Sequence, residues 1–553
     1  MRKIKVVLIV LLVMVGVSHG AFFDDVSGGS GGLTVTVAAS DAPVHIKACA
    51  DYLCDGTADN VQIQLAIDTA VSHNNFATIE LSEGTFNIAA TIYHCGTPAH
   101  LAGGVGVSPT VFIKGSGVKC TQLNLVADVN MFTFGRYEQT IFSGISDLLA
   151  TGNSSSRTSG NFLNYEYEGS GATDVDLLYD FNLRNLFIQD FRDSGIICKG
   201  NSWGWILDNV IIEFCGRHVR VGDGVTPGVT TKSLNASVVT SATSVSGNNV
   251  QTFTLTDHGY TAGDVIGIRG GLGGQGLKLN GFWTVASVVD DNNFTIFQSW
   301  DTYTQTGDEE ILSNFSHGAE FIDCGYGPKI SACKFITNEG CGLLLNRSDR
   351  TLISNSEFNG VSEGTPGIAI FGGKSNFANN NRFVVPIMNN IDSTTGIVLG
   401  KSAITNTTLN IINNNTFDFT AVAMQYGIQM DRSSSYCTIA GNSFNPYGTP
   451  TTSGDLRITG NGSALDGTTK RGGTNASKFS ATNKIKSDNG GKATGLSTGG
   501  TIAHGLNGTP TIVSVTPASA GVSDLNIAVD GTNITVTFAG GGSEDFYWYV
   551  KSD

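Results

Sequence analysis

The feature of this chain that most limits its fold is a repeat carried by asparagine and aromatic positions. Counted back from a phenylalanine or isoleucine landmark, it reads Asn185-x-Phe187, Asn209-x-Ile211, Cys333-x-Phe335 and Ser356-x-Phe358. It continues as Asn381-x-Phe383, Asn415-x-Phe417 and Asn442-x-Phe444. A short apolar pair follows each landmark, as in Gly195-Ile196-x-Cys198, Gly342-Leu343-x-Leu345 and Gly367-Ile368-x-Ile370. Landmarks lie 24, 23, 25, 34 and 27 residues apart, with one gap of 124 after Ile211. A drifting period in the twenties, carried by strand-length apolar pairs, predicts a parallel β-solenoid. Each coil cannot bury its inward residues alone, and stacking at about 4.8 Å builds one continuous core. Five coils place Asn at the landmark offset, which predicts amides hydrogen-bonded along the axis.

Composition agrees with a turn-rich β protein. Of 553 residues, 40% are hydrophobic and 14% charged, and 71 are glycine, which suits turns better than helix bundles. Arg2, Lys3 and Lys5 precede an apolar run from Val6 to Val17 and then Ser18-His19-Gly20-Ala21. That pattern, too short to span a bilayer, predicts a secretory signal peptide over 1–20 and an extracellular protein. Its removal leaves 29 basic against 47 acidic residues. Such a surface repels nucleic acid, and no basic stripe offsets it. The ten cysteines permit disulfides in an exported chain, with Cys198 read as a buried thiol on an inward position. No C-x-x-C spacing supports a metal site, and no cofactor is implied.

Residues 21–40 read as a flexible lead-in. Thr57 or Asp59 can cap a helix running to about Ser72, with Ile63, Ala66, Ile67 and Ala70 on one face. Strands over 78–81 and 85–88 follow, around a Glu83-Gly84 turn. The stretch from Cys54-Asp55-Gly56-Thr57 to Glu83-Gly84-Thr85-Phe86 resembles the N-terminal module of the pectate-lyase-like right-handed parallel β-helix superfamily. The resemblance is close over 50–92 and looser to about 465. It implies an all-β, right-handed parallel β-helix over 41–224 and 314–465, closed by an N-terminal capping helix. Polysaccharide lyases, glycoside hydrolases, epimerases, viral tailspikes and non-catalytic binders share that fold, so fold alone does not give activity.

The 124-residue gap holds a second object. Turn signals at Asp257-His258-Gly259 and Asp291-Asn292 separate alternating strands, predicting an inserted small β-barrel over 225–313 that resembles modules of phage tail proteins. A Gly-, Ser- and Thr-rich linker over 466–490 leads to 491–553, which resembles the C-terminal β-sandwich of such proteins. Tailspike-like relatives are homotrimers, and the resemblance extends that expectation here.

The superfamily's known catalytic sets are absent, so the candidate site comes from register counting. Asp190 lies three residues past its landmark and Glu213 two past the next, which predicts one turn column holding both. Carboxylates stacked about 5 Å apart would repel and form an acid/base pair. Asp190, Asp193 and Glu213 are therefore the catalytic candidates. Arg192, Arg217 and His218 surround the same column as groups to hold an acidic sugar, and Glu339, in the corresponding turn beyond, is a further substrate-binding candidate. Trp203 and Trp205 offer a stacking platform for sugar faces, or else core residues. The expected partner is a polysaccharide or surface glycan, cleaved by hydrolysis or elimination; the alternative is a non-catalytic tailspike-like adhesin.

Overall fold

The computed structural model describes residues 32–552 other than 74–75, 95, 97–109, 135–139, 167–177, 201, 217–236, 239–240, 246–249, 263, 270–280, 298–309, 313–315, 339, 360–365, 385–394, 401–409, 420–425, 431–437, 441, 447–455, 459–463, 466–477, 480–485, 504–508, 519–521, 532 and 540–541. The expected leader, most of the lead-in, Arg217, His218 and Glu339 lie outside the described residues.

Short parallel strands stack coil upon coil. Leu343–Asn346, Leu352–Ser354 and Glu357–Asn359 make one coil, and each pairs in register with Ile368–Phe371, Phe377–Asn379 and Arg382–Val384 of the next. One flank is an eleven-stranded sheet running from Ile92–Tyr93 to Lys478–Phe479. In the earlier coils the other two strands merge into one bent strand, as in Asn182–Gln189 and Ile206–Glu213. The inward residues form a single core from Val35 to Ile439. This is a parallel β-helix.

The bend explains the asparagines, and it corrects the predicted ladder. Asp147, Asn185, Asn209, Ala332, Asn355, Asn380 and Asn414 all turn the chain at positive φ, between 52° and 59° apart from Asn185 at 51°. Asn and Asp tolerate that left-handed backbone because their short polar side chains bond locally. Here they bond up the axis: Asn209 Nδ2 donates to Asn185 Oδ1 at 3.0 Å, and Asn185 Nδ2 to Asp147 Oδ1 at 3.0 Å. Asn381, Asn415 and Asn442 belong to a different column, one residue later and fully buried. There Asn415 Oδ1 accepts the Asn381 N–H at 2.9 Å, and Asn442 Oδ1 accepts the Asn415 N–H at 3.0 Å. The five landmark asparagines therefore split between an exposed bend and a buried corner. Strand pairing sets Ile212, not Ile211, opposite Phe335, so Phe187 and Ile211 are not the inward equivalents of the later phenylalanines.

The helix Asn60–His73 packs against strands Leu33–Ala38 and Phe76–Leu81, with Ile63, Ala66, Ile67 and Ala70 fully buried. Asp59 precedes it, but its carboxylate accepts the N–H groups of Gly56 (2.8 Å) and Asn87 (2.7 Å), tying the helix start to a strand. Between Ser237–Val238 and Glu310–Leu312 lies a seven-stranded antiparallel sheet with its own core of Phe253, Ile266, Trp283, Val285, Phe294 and Ile296. Near the C-terminus, Lys486–Leu496, Glu544–Ser552 and Ile512–Pro517 pair antiparallel. They share a core with Gly500–Ala503, Asn533–Ala539 and Ser523–Val529. Among the described residues no helix is long and apolar enough to cross a membrane.

Candidate functional site

The turn after strand Asn182–Gln189 carries three of the predicted residues. Asp190 takes a left-handed backbone (φ 59°) in line with Phe214 (φ 56°) and Thr337 (φ 50°) of the following coils. Its N–H donates to the Glu213 carbonyl at 3.0 Å, and its carboxylate accepts the Ser154 hydroxyl at 2.6 Å from the coil before. Asp193 holds the Gly160 loop, its carboxylate accepting the Gly160 N–H at 2.8 Å. Arg192 is buried.

Register separates the predicted pair. Glu213 lies opposite Gln189 and Ile336, whereas Asp190 stands one position further along, so the two carboxylates do not share a column. The offsets account for it: Phe187 and Ile211 pair directly, and Asp190 lies three residues past one while Glu213 lies two past the other. They remain close enough to act on one thiol. Burial pushes Cys215 up to about 12, and the Asp190 and Glu213 charges add to it against the backbone bond of Phe191.

The two tryptophans part company. Trp205 is fully buried, with its ring 5.0 Å from Phe181 and 5.6 Å from Phe321, so it is core and not platform. Trp203 faces outward, 38% exposed. Its ring lies 4.5 Å from that of Tyr326 on the next coil, which is 39% exposed, and the two residues form a parallel bridge. Gly325 permits the close approach, since a Cβ there would stand 3.3 Å from Trp203 Nε1. The Arg350 guanidinium sits 4.3 Å over the Tyr326 ring, a cation–π contact that carries the ledge to a third coil. Beyond it, Leu352 and Phe377 pair in register and are also exposed.

Sequence counting missed Tyr326 and Arg350 because neither sits at a fixed distance from a landmark. The available signal was Gly325-Tyr326-Gly327, an aromatic flanked by glycines just after an inward strand. Charged side chains of the same turns are held locally: Arg347 forks onto the Asp323 carboxylate, and Asp349 accepts the Lys374 backbone N–H at 2.7 Å. Among the described residues no group of three or more His, Cys, Asp or Glu side chains is placed to hold a metal ion.

No protein-family model matches this chain, and no curated protein sequence matches it. Solved structures do show a loose likeness. The A-module of the Azotobacter vinelandii mannuronan C-5 epimerase AlgE6 is 14% identical, with a TM-score of 0.35 over 76% of this chain and 97% of that one. The Dettilon tailspike protein gp208 is 11% identical, with a TM-score of 0.41 over 93% and 94%. An alginate lyase from Paenibacillus sp. str. FPU-7 is 14% identical, with a TM-score of 0.37 over 77% and 100%. At such scores the β-helix assignment rests on the strand register itself.

Proposed function

We propose that this is an exported, carbohydrate-directed β-helix protein that takes a polysaccharide or surface glycan against Trp203, Tyr326 and Arg350. The observation that carries the reading is the outward aromatic pair topped by a guanidinium. Large aromatic side chains normally enter the core, and a rigid exposed pair with a polar rim suits the apolar face and hydroxyl edge of a sugar ring. The rings come from adjacent coils, so the ledge runs along the helix axis, the direction in which an extended chain could lie.

The test is binding of the full chain to a panel of neutral and acidic polysaccharides, followed by tryptophan fluorescence and calorimetry. Trp203→Ala should weaken the tightest interaction about tenfold, the scale of one lost aromatic contact. Unchanged affinity in Trp203→Ala and Tyr326→Ala would remove the ledge from the site.

Cleavage is the finer part of the proposal, with Asp190 and Glu213 as acid and base. The same panel assayed for new reducing ends and for 235-nm absorbance separates hydrolysis from elimination. Activity that persists in the D190A/E213A variant would exclude this pair. A second reading, a non-catalytic adhesin that assembles as a homotrimer, draws support from one observation. The Asp190 and Asp193 carboxylates are engaged by Ser154 and Gly160, which hold them as turn-forming groups. Retained binding without product would favour it.

A further inference from the structure

We propose that Cys198 and Cys324 are joined by a disulfide that staples the coil before the inserted module to the coil after it. Cys198 lies on strand Ile196–Lys199, opposite Phe321 of strand Ala319–Ile322, and Cys324 follows two residues beyond that strand. Their Sγ atoms are 3.6 Å apart, and the Ser202 hydroxyl lies 3.1 Å from each. A disulfide needs about 2.05 Å between sulfurs, so closure requires a movement of about 1.5 Å.

Among the described residues, the surroundings set this pair apart from the buried Cys215 and Cys333. Burial works against a thiolate at Cys324, but the Cys198 thiol and the Ser202 and Ser348 hydroxyls together hold it below the usual thiol range. Burial and the neighbouring Cys324 keep Cys198 protonated. Burial instead pushes Cys215 and Cys333 up to about 12. The joint is also stitched by polar bonds that cross the same gap in sequence. Ser194 donates to the Glu320 carboxylate, the His317 N–H donates to Ser194 Oγ at 2.8 Å, and the Cys215 N–H donates to Asn338 Oδ1 at 3.1 Å.

The oxidant is a low-molecular-weight disulfide such as glutathione disulfide, acting while the two coils dock and both sulfurs are still reachable. The Cys324 thiolate attacks one sulfur of that disulfide, breaking its S–S bond and releasing one thiolate. Cys198 then gives up its proton and attacks Cys324 Sγ in the mixed disulfide, releasing the second thiolate. Two protein thiols and one disulfide become one protein disulfide and two small thiols. The ring so closed contains the whole inserted module, and a backbone cut anywhere between the two cysteines would leave the halves of the rod joined.

The test folds the full chain in a mixture of glutathione and glutathione disulfide. The protein is denatured, alkylated, digested without reductant and mapped by mass spectrometry. The expected product is a Cys198–Cys324 linked peptide pair that separates on reduction. Complete alkylation of both residues, or Cys198 joined to a different cysteine, overturns the proposal. As a second measurement, reductant should lower the melting temperature of the wild type but not that of Cys198→Ser/Cys324→Ser. Equal shifts in both proteins would also overturn it. If the variant does not fold, the wild-type peptide map decides.

Discussion

Between residues 335 and 417 the rod repeats itself, whereas between 132 and 215 it improvises. In the later coils Phe335, Phe358, Phe383 and Phe417 stack face over face, with ring centroids 4.9, 5.1 and 4.7 Å apart and planes within 11°. The buried Asn381, Asn415 and Asn442 rise beside them, each bonded to the coil before. In the earlier coils Phe132 meets Phe162 edge-on at 75°, Phe162 meets Phe191 at 69°, and Phe181 leans on Trp205 at 59°. The inward side chains differ from coil to coil, and a buried histidine, His94, sits 5.1 Å from Phe181 and 5.3 Å from Phe134. Repetition satisfies each coil by the same bonds as its neighbour. Irregularity leaves room for features that occur once, among them the exposed ring of Trp203.

The largest expected effect tests the repeating half. Asn415→Ala removes the acceptor of the Asn381 N–H and the donor to the Ala378 carbonyl, at 2.9 Å each, in a site without solvent. Two stranded backbone groups should cost about 4 kcal/mol, read by urea unfolding. A loss below about 1 kcal/mol would mean that the buried ladder does not set the stability of these coils.

The next tests the improvised half through pH. Burial holds the His94 imidazole down to about 4, with only partial compensation from the Gly144 carbonyl. A histidine in the unfolded chain titrates near 6.5, so as pH falls the unfolded state takes up its proton first. Stability should be full above about pH 6.5 and decline between there and pH 4, by a total on the order of 3 kcal/mol. His94→Phe should flatten that part of the profile. A wild-type curve already flat across the window would place the ring in contact with water.

Smaller effects belong to the surface. Asn209→Ala keeps a left-handed bend without the side chain that eases it and loses the bond to Asn185, an expected cost of about 1 kcal/mol. Trp203→Ala should change stability by no more than about 0.5 kcal/mol while weakening glycan binding. A large loss of stability there would make Trp203 a structural residue and not a ledge.

The architecture was legible in sequence because stacking repeats what it needs: Phe335, Phe358, Phe383 and Phe417 recur where each coil turns inward. Phase was less legible. A bend that accepts Asn and a corner that accepts Asn one residue later look alike in a string of letters. Only strand pairing shows that Asn209 is outside and Asn381 inside. Asp190 and Glu213 fail to share a column for a simpler reason, offsets of three and two residues from landmarks that do pair. Trp203 and Trp205 could be told apart only by alternation across a tight turn at Gly204 (φ 75°), which reverses the expected facing. Tyr326 and Arg350 escape a periodic count because their roles depend on neighbours in other coils, and the glycines flanking Tyr326 are the one local sign of it.

One joint in the rod has a wider consequence. Trp203 belongs to the last coil before the inserted module and Tyr326 to the first coil after it, so the aromatic pair exists only once the chain has left, built the module and returned in register. A glycan held there would reward correct closure of the excursion, acting as an inspector of assembly as well as a ligand. Exchanging the module for another of similar span should leave that inspection intact, while a module whose ends returned one residue out of step would fail it.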